Sequence, residues 1–330
     1  MAASSIFIGP SASHGFSLGR ISRGVIVTNT FNPIKSLQLK SILVATDLTE
    51  SADRALEHGI AIARHYQAIL YVVYVVSSLG FTLAGPDAVE LAAEASERDI
   101  NCLVNELVDS GRLNGVEVRP VVLKGNVDER MESFVRAHRV DLIVVSTHGR
   151  CGVARLLFGS VAQLISKCCC CPVLTVGPHS PGPWLGSRAD SGRPLLFATA
   201  FEKASAKAVP YAISLANDFE RQLFVLHVIS PARPLLFKKS CMTHGDYEAS
   251  ALAHLKALLP DADRKCSINF LVESCDPADG ILRVAKRIHA VTIIMGAQRD
   301  SISDLTTRLP GSITNHVNRE AMCPVLTVGG

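Results

Sequence analysis

The heptapeptide Cys171-Pro-Val-Leu-Thr-Val-Gly177 occurs twice in this chain of 330 residues, the second time as Cys323-Pro-Val-Leu-Thr-Val-Gly329. Two further pairs of segments keep the same order and the same separation of about 150 residues, which indicates an internal duplication. These pairs are Leu43-Val-Ala-Thr-Asp47 with Leu196-Phe-Ala-Thr-Ala200, and Gly159-Ser160 with Gly311-Ser312. The chain is therefore predicted to contain two copies of one domain.

A stretch rich in Gly, Pro and Ser separates the two copies, because residues 177–193 continue neither a helix nor a strand. We expect copy one at residues 39–177, a linker at 178–193 and copy two at 194–330. Residues 1–38 are rich in Ser and precede the first acidic residue, Asp47. We expect a disordered extension there; an organelle transit peptide and an over-called start site stay open as alternatives.

Short apolar runs alternate with segments of helical period in both copies, which is typical of βα units around a parallel sheet. In copy one we expect strands at Ser41–Thr46, Ala68–Val76, Val116–Leu123, Asp141–Ser146 and Pro172–Val176, and helices at Ser51–His65, Asp87–Gly111, Asp128–Arg139 and Ser160–Lys167. In copy two we expect strands at Pro194–Thr199, Gln222–Ile229, Ser267–Val272, Val291–Gly296 and Pro324–Val328, and helices near Lys203–Phe219, Tyr247–Leu259, Pro277–Ile288 and Ser312–Glu320.

The composition argues against two classes of partner. Apolar residues make up 48% and aromatic residues 5% of the chain, so the core is aliphatic, and the formal net charge is only +3. That charge is too small to indicate nucleic acid or a membrane surface as partner. The longest apolar run, Ala68–Val76, is far shorter than the roughly 20 residues that span a bilayer.

Four of the ten cysteines, Cys168 to Cys171, are consecutive. Adjacent side chains cannot close a tetrahedral zinc site as paired C-x2-C segments do, so we expect small reduced apolar residues there. A redox or metal role for this run stays open. Reduced thiols are typical of a cytoplasmic protein.

The segment that follows the fourth strand has the features of a phosphate-binding loop. It begins Ser146-Thr-His-Gly149 and ends at Gly159-Ser160, before a predicted helix. Glycines at 149 and 159 let backbone amides approach a ligand, because no Cβ is in the way. Ser160 can cap the helix, whose free amides and dipole favour an anion. The spacing predicts that a phosphate chain lies along this loop.

The same segment resembles the nucleotide motif Gly-x2-Gly-x9-Gly-Ser/Thr of the universal stress protein (UspA) family, in its tandem two-domain form. The resemblance covers nearly all of residues 40–177 and, more loosely, 193–330. It implies two doubly wound α/β domains, adenine-nucleotide alpha-hydrolase-like, each with a five-stranded parallel sheet of order 3-2-1-4-5 flanked by helices. In that order the first and fourth strands border the switch point where ligands bind.

The resemblance also implies a site for ATP, with Mg²⁺, in copy one. Thr46, Asp47 and Val75, with Ala45, correspond to residues around the adenine. Ser146, His148 and Gly149, with Val145, correspond to residues at the ribose and α-phosphate; for His148 a structural role in the loop stays open as the alternative. The outer phosphates would lie on Gly159, Ser160, Val161 and Ala162. One departure is Ser146, which stands where the motif has its first glycine.

Copy two departs further from the family pattern. Ala200 replaces the aspartate, Arg299 stands at the second glycine, and the loop to Gly311 is two residues longer and contains Pro310. We therefore predict that copy two does not bind ATP. In this family the last strand pairs with its equivalent in a partner domain, which implies an intramolecular pseudo-dimer, with a further homodimer open.

The resemblance implies a stress-response regulator or protective factor that binds an adenine nucleotide and an unknown protein partner. Slow ATP hydrolysis or adenylyl transfer stays open, as does a chaperone or assembly module that does not depend on nucleotide. No catalytic residue is predicted, because the chain has no Walker lysine motif, no Ser-His-Asp order and no carboxylate cluster of the metal-binding type.

Overall fold

The computed structural model describes residues 37–77, 86–147, 171–183, 192–230, 244–259, 265–297 and 313–329. In copy one the elements are β1 (Ser41–Ala45), α1 (Glu50–Tyr66), β2 (Ile69–Ser77), α2 (Pro86–Asp109), β3 (Val118–Gly125), α3 (Val127–Ala137), β4 (Leu142–Ser146) and β5 (Val173–Val176). In copy two they are β6 (Leu195–Ala198), α4 (Lys203–Asp218), β7 (Leu223–Ile229), α5 (His244–Leu258), β8 (Ile268–Ser274), α6 (Pro277–Arg287), β9 (Thr292–Ala297), α7 (Ile313–Glu320) and β10 (Val325–Gly329).

All ten strands expected from the sequence are present, with ends that differ by a few residues. Local chemistry explains two of the helix starts. Proline at position 86 begins α2, because its missing N–H costs nothing in the first turn. The Asn126 side chain caps α3 by accepting from the Asp128 N–H, so this helix begins at Val127. The helix expected at 160–167 lies outside the described residues.

The strands form one sheet of order β3-β2-β1-β4-β5-β10-β9-β6-β7-β8. Each half has the predicted order 3-2-1-4-5, and its strands pair in parallel. The two halves meet at β5 and β10, which pair antiparallel with Leu174 opposite Leu326. The prediction of two doubly wound α/β halves is confirmed, and pairing of their last strands joins them into one continuous sheet.

The core is divided unequally by this sheet. On the side of α1, α2, α4 and α5, one apolar cluster runs through both copies. On the other side each copy has its own cluster, around α3 in copy one and around α6 and α7 in copy two. Contact between α1 and the sheet is close at Gly59, where a Cβ would lie 2.3 Å from Val44 Cγ2. The shared cluster therefore connects the two copies through packing as well as strand pairing.

The start of the linker is held against α1. The Arg54 guanidinium donates to the carbonyl oxygens of Pro178 (2.6 Å) and Ser180 (3.1 Å). One turn further along, His58 Nε2 donates to the carbonyl of Pro181 over 3.2 Å. His58 is 1% exposed, and burial lowers its pKa to about 4. The linker therefore leaves copy one along a fixed path on the first helix.

Two properties of the described ranges concern membranes and metal ions. No helix in them is long and apolar enough to cross a membrane. Within the same ranges, no group of three or more His, Cys, Asp or Glu side chains is arranged to hold a metal ion.

Candidate functional site

The candidate site lies where β1 and β4 end side by side. These strands pair in parallel with Ala45 opposite Val145, and the chain continues from β1 toward β2 on one side and from β4 toward β5 on the other. A crevice forms at such a switch point, because the connections leave it in opposite directions. The sequence prediction that the β1 and β4 ends are adjacent is confirmed by this pairing.

The loop between β1 and α1 is fixed by its own polar groups. The Thr46 N–H donates to the carbonyl of Val73 on β2 over 2.9 Å. The Thr46 hydroxyl oxygen accepts from the Leu48 N–H over 3.0 Å, and Leu48 has a left-handed φ of 61°. These contacts turn the chain sharply after β1 and direct it into the first turn of α1.

The Asp47 carboxylate lies within this turn, partly buried at the amino end of α1. Its Oδ1 accepts from the Thr49 N–H at 3.2 Å and from the Thr49 hydroxyl at 2.5 Å. An anion is favoured at this end of a helix by the helix dipole. Thr49 was not among the predicted site residues, although Asp followed two positions later by Thr before a helix is the sequence signal of such a turn.

The apolar site residues of the prediction lie beneath the loop. Ala45 and Val75 are partly buried and pack against one core cluster, of which Val145 is a member with 2% exposure. The Val145 side chain thus contributes to the core. Ala45, Val75 and Val145 share this cluster across β1, β2 and β4, at the carboxyl ends of the three strands.

Ser146 ends β4 and is partly buried. The next residue, Thr147, is 1% exposed, and its N–H donates to the carbonyl of Val176 on β5 over 3.1 Å. The chain therefore leaves β4 along the β5 side of the crevice. The remaining predicted site residues, His148, Gly149, Gly159, Ser160, Val161 and Ala162, lie outside the described residues.

Copy two repeats the turn without the carboxylate. The Thr199 N–H donates to the carbonyl of Leu226 over 2.9 Å, and the Thr199 hydroxyl accepts from the Phe201 N–H over 3.1 Å. Phe201 has a φ of 60°, matching Leu48. Ala200 stands in place of Asp47, and its N–H donates to the Ser205 hydroxyl. Copy two thus offers no acidic acceptor at this position.

Aromatic rings occupy the neighbouring space in copy two. The Phe201 ring lies 4.3 Å from the His227 ring and 5.7 Å from the His254 ring, centroid to centroid. His227 Nδ1 donates to the carbonyl of Thr199 over 2.8 Å. Burial lowers the pKa of His227, while this hydrogen bond opposes the shift.

The two copies also differ at the fourth strand of the repeat. Gly296, at the position of Ser146, packs on the first turn of α4, where an added Cβ would lie 2.3 Å from the Ala204 carbonyl carbon and 2.4 Å from the Ser205 nitrogen. No side chain fits between β9 and α4. This close packing could not be predicted from the sequence, because it depends on how the helix lies on the sheet.

Comparison with known proteins gives the family. The model of the "Universal stress protein family" matches residues 38–177 and again residues 192–329. This chain belongs to the universal stress protein family. The match appears twice, so the tandem form predicted from the sequence is confirmed.

Curated relatives resemble a single copy of this universal stress protein. Universal stress protein MJ0531 of Methanocaldococcus jannaschii is 31% identical over 138 residues, which cover 42% of this chain and 81% of the relative. Universal stress protein YxiE of Bacillus subtilis is 26% identical over 144 residues, which cover 41% of this chain and 97% of the relative.

Solved structures match both copies together. A universal stress protein from Archaeoglobus fulgidus has a TM-score of 0.66 at 17% identity, with 90% of this chain and 98% of that chain covered. A universal stress protein from Pseudomonas aeruginosa has a TM-score of 0.58 at 17% identity, covering 88% and 93%. At this identity the likeness concerns the fold alone.

Proposed function

We propose that copy one binds an adenine nucleotide, ATP with Mg²⁺, in the crevice above β1 and β4. The observation that carries the proposal is the Asp47 carboxylate, which the turn after β1 presents at the switch point of the sheet. An ionised carboxylate only accepts hydrogen bonds, so it suits a ligand that offers donors, such as an exocyclic amino group or ribose hydroxyls.

The remaining contacts of this proposal are those that the family resemblance implies for the predicted site residues. Ala45, Thr46 and Val75 lie on the adenine side of the crevice, and Ser146 lies beside the ribose with Val145 beneath it. In this proposal His148 and Gly149 contact the ribose and α-phosphate, and the outer phosphates lie on residues 159–162. Mg²⁺ would be held mainly by phosphate oxygens and water, as is usual for this ion with nucleotides.

We propose that nucleotide occupancy makes the protein a regulator or protective factor in the stress response. A ligand that binds only the folded state stabilises that state by mass action. Binding can also change the conformation of the surface that a protein partner contacts. We further propose that the chain works as an intramolecular pseudo-dimer in the cytoplasm. Antiparallel pairing of β5 with β10 supports the first part of that statement.

The test is mass spectrometry of the ligand released from purified protein. Wild-type protein is expected to release ATP or ADP, and the Asp47→Ala variant is expected to release neither. Glu129→Ala, which removes an exposed carboxylate on α3, is the matched control and should keep the ligand. If wild-type protein releases no nucleotide and its melting temperature does not change with Mg-ATP, the proposal is wrong.

A further inference from the structure

The chain makes a closed turn directly after β5, at the start of the linker. The Ser180 N–H donates to the Gly177 carbonyl over 3.1 Å, and the Gly177 N–H donates to the Ser180 hydroxyl over the same distance. Ser180 is 2% exposed, so both hydrogen bonds are shielded from water. Residues 177–180 therefore form a compact unit with a defined backbone conformation.

Arg54 fixes this turn to the first helix of copy one. Its guanidinium donates to the carbonyl oxygens of Pro178 and Ser180, at 2.6 and 3.1 Å. A guanidinium suits this task because its N–H groups are rigidly arranged in one plane and can hold two acceptors together. Copy two has Lys207 at the position of Arg54, and therefore no guanidinium on its first helix at this point.

The turn is also connected to a predicted residue of the nucleotide site. Val176, the last residue of β5, lies opposite Ser146 in the register of β4 and β5. The Val176 carbonyl accepts from the Thr147 N–H over 3.1 Å, and Gly177 follows Val176 directly. Thr147 is 1% exposed, so this contact is buried. Hydrogen bonds and adjoining backbone thus lead without a break from Arg54, through the turn, to the end of the strand that carries Ser146.

We propose that Arg54 is a positioning residue of the nucleotide site in copy one. The inference rests on the proposed function, in which Ser146 lies beside the ribose. Arg54 holds the turn, the turn holds the end of β4, and Ser146 is thereby kept at the edge of the crevice before the ligand arrives. A site that is ordered in advance binds more tightly, because less conformational freedom is lost on binding.

Isothermal calorimetry of the full chain with Mg-ATP tests this role. Arg54→Ala should weaken binding at least about fivefold, as expected when one hydrogen bond to the ligand is no longer held in place. The matched control is Arg64→Ala, because Arg64 also donates from α1 to two backbone carbonyls, those of Arg112 and Asn114, but at the far end of the helix. This control should bind as the wild-type protein does. Equal affinities of wild-type protein and Arg54→Ala would overturn the proposal, whereas a wild-type protein that binds no Mg-ATP would contradict the proposed function itself.

A second background shows whether Arg54 acts through Ser146. Ser146→Gly removes the hydroxyl and gives copy one the residue that copy two has at Gly296. In this background Arg54→Ala should leave the affinity unchanged, because no side chain is left to position. A loss of affinity that persists there would show that Arg54 acts on the ligand by its charge or through another residue, and would contradict the proposal.

Hydrogen–deuterium exchange tests the turn itself without nucleotide. The peptide that covers residues 172–183 should exchange faster in Arg54→Ala than in the wild-type protein, since the turn loses its attachment to α1. Exchange of the same peptide should not change in Arg64→Ala. Unchanged exchange in Arg54→Ala would show that Arg54 does not hold the turn, and the proposal would then be wrong.

Discussion

The two copies keep the same backbone after their first strands but differ in the group that this backbone presents. Leu48 and Phe201 both adopt a left-handed φ near 60°, stabilised by equivalent threonine hydroxyls. Copy one presents Asp47 at this turn and copy two presents Ala200. The turn therefore does not need the carboxylate in order to form, and we infer that Asp47 is retained for a ligand.

The ends of the fourth strands differ in the same sense. Ser146 carries a side chain at the end of β4, whereas Gly296 lets β9 contact the α4 backbone. In copy two the packing of helix on strand occupies space that a side chain would need. Within the described residues, copy two thus packs its first helix against the fourth strand at Gly296 and has neither the Asp47 nor the Ser146 side chain, which is the pattern expected of a domain kept for structure. Each prediction below changes one side of this comparison.

The largest effect is expected at Gly296. Gly296→Ala places a Cβ where the Ala204 carbonyl already lies, and backbone atoms cannot move aside as a flexible side chain can. We expect a loss of more than about 3 kcal/mol in the free energy of unfolding, measured by urea denaturation. Gly182→Ala is the matched control, because its Cβ would meet no atom within 4 Å. Equal losses in both variants would contradict the close packing of copy two.

The second largest effect on stability is expected in the first helix of copy one, where His58 occupies the position that Tyr211 has in copy two. Burial lowers the pKa of His58 from 6.5 to about 4, and its Nδ1 is buried without a hydrogen-bond partner. Below pH 6.5 the unfolded chain takes up a proton that the folded state does not. The stabilisation from neutral His58 is therefore complete above pH 6.5 and is lost as the pH falls through 4, by about 3 kcal/mol.

The matched variant is His58→Gln, because glutamine keeps a donor toward the Pro181 carbonyl but does not titrate. Urea denaturation of both proteins between pH 4 and 7.5 gives the difference in their free energies of unfolding. The wild-type protein should lose stability relative to His58→Gln as the pH falls. Parallel curves for the two proteins would show that His58 is not protonated differently in the folded and unfolded states.

The third effect is expected at the junction of the copies, where Tyr66 of copy one and Asp218 of copy two should contribute jointly to the free energy of unfolding. Burial raises the pKa of Tyr66, and the carboxylate that accepts its hydrogen bond raises it further. A double-mutant cycle with Tyr66→Phe and Asp218→Asn should give a coupling of about 1–2 kcal/mol. The exposed Arg112–Glu57 pair serves as control and should give less than about 1 kcal/mol. Similar couplings in both cycles would contradict a specific contact at the junction.

The smallest effect is expected at Phe201, which is 37% exposed. Phe201→Leu gives copy two the residue of copy one and should cost about 1 kcal/mol. The pKa of His227 should rise toward its ordinary value, since the ring that covers it becomes smaller. An NMR titration of His227 measures this shift. The control is Leu91→Ala, which changes an exposed residue of copy one. An unchanged pKa would show that Phe201 does not shield His227.

The sequence predicted the parts of the fold that depend on local pattern and on repetition. The duplication and the ten strands follow from the repeated heptapeptide and the alternation of apolar runs, whereas the strand order and the pairing of the two halves were implied by the family resemblance. Asp47 was predicted as a site residue from the family resemblance and the glycine-containing loop after β4, and its role in binding stays a prediction. Contacts such as Tyr66 with Asp218, or Gly296 with Ala204, could not be predicted, because they depend on how helices lie on the sheet and join residues far apart in the chain.

Titration of the protein with Mg-ATP by isothermal calorimetry tests the central claim, that the copies diverged into one binding and one structural domain. The account predicts one ATP per chain for the wild-type protein, none for Asp47→Ala, and still one for Ala200→Asp, because packing at Gly296 closes copy two. Two sites per chain, or one site that persists in Asp47→Ala, would contradict it.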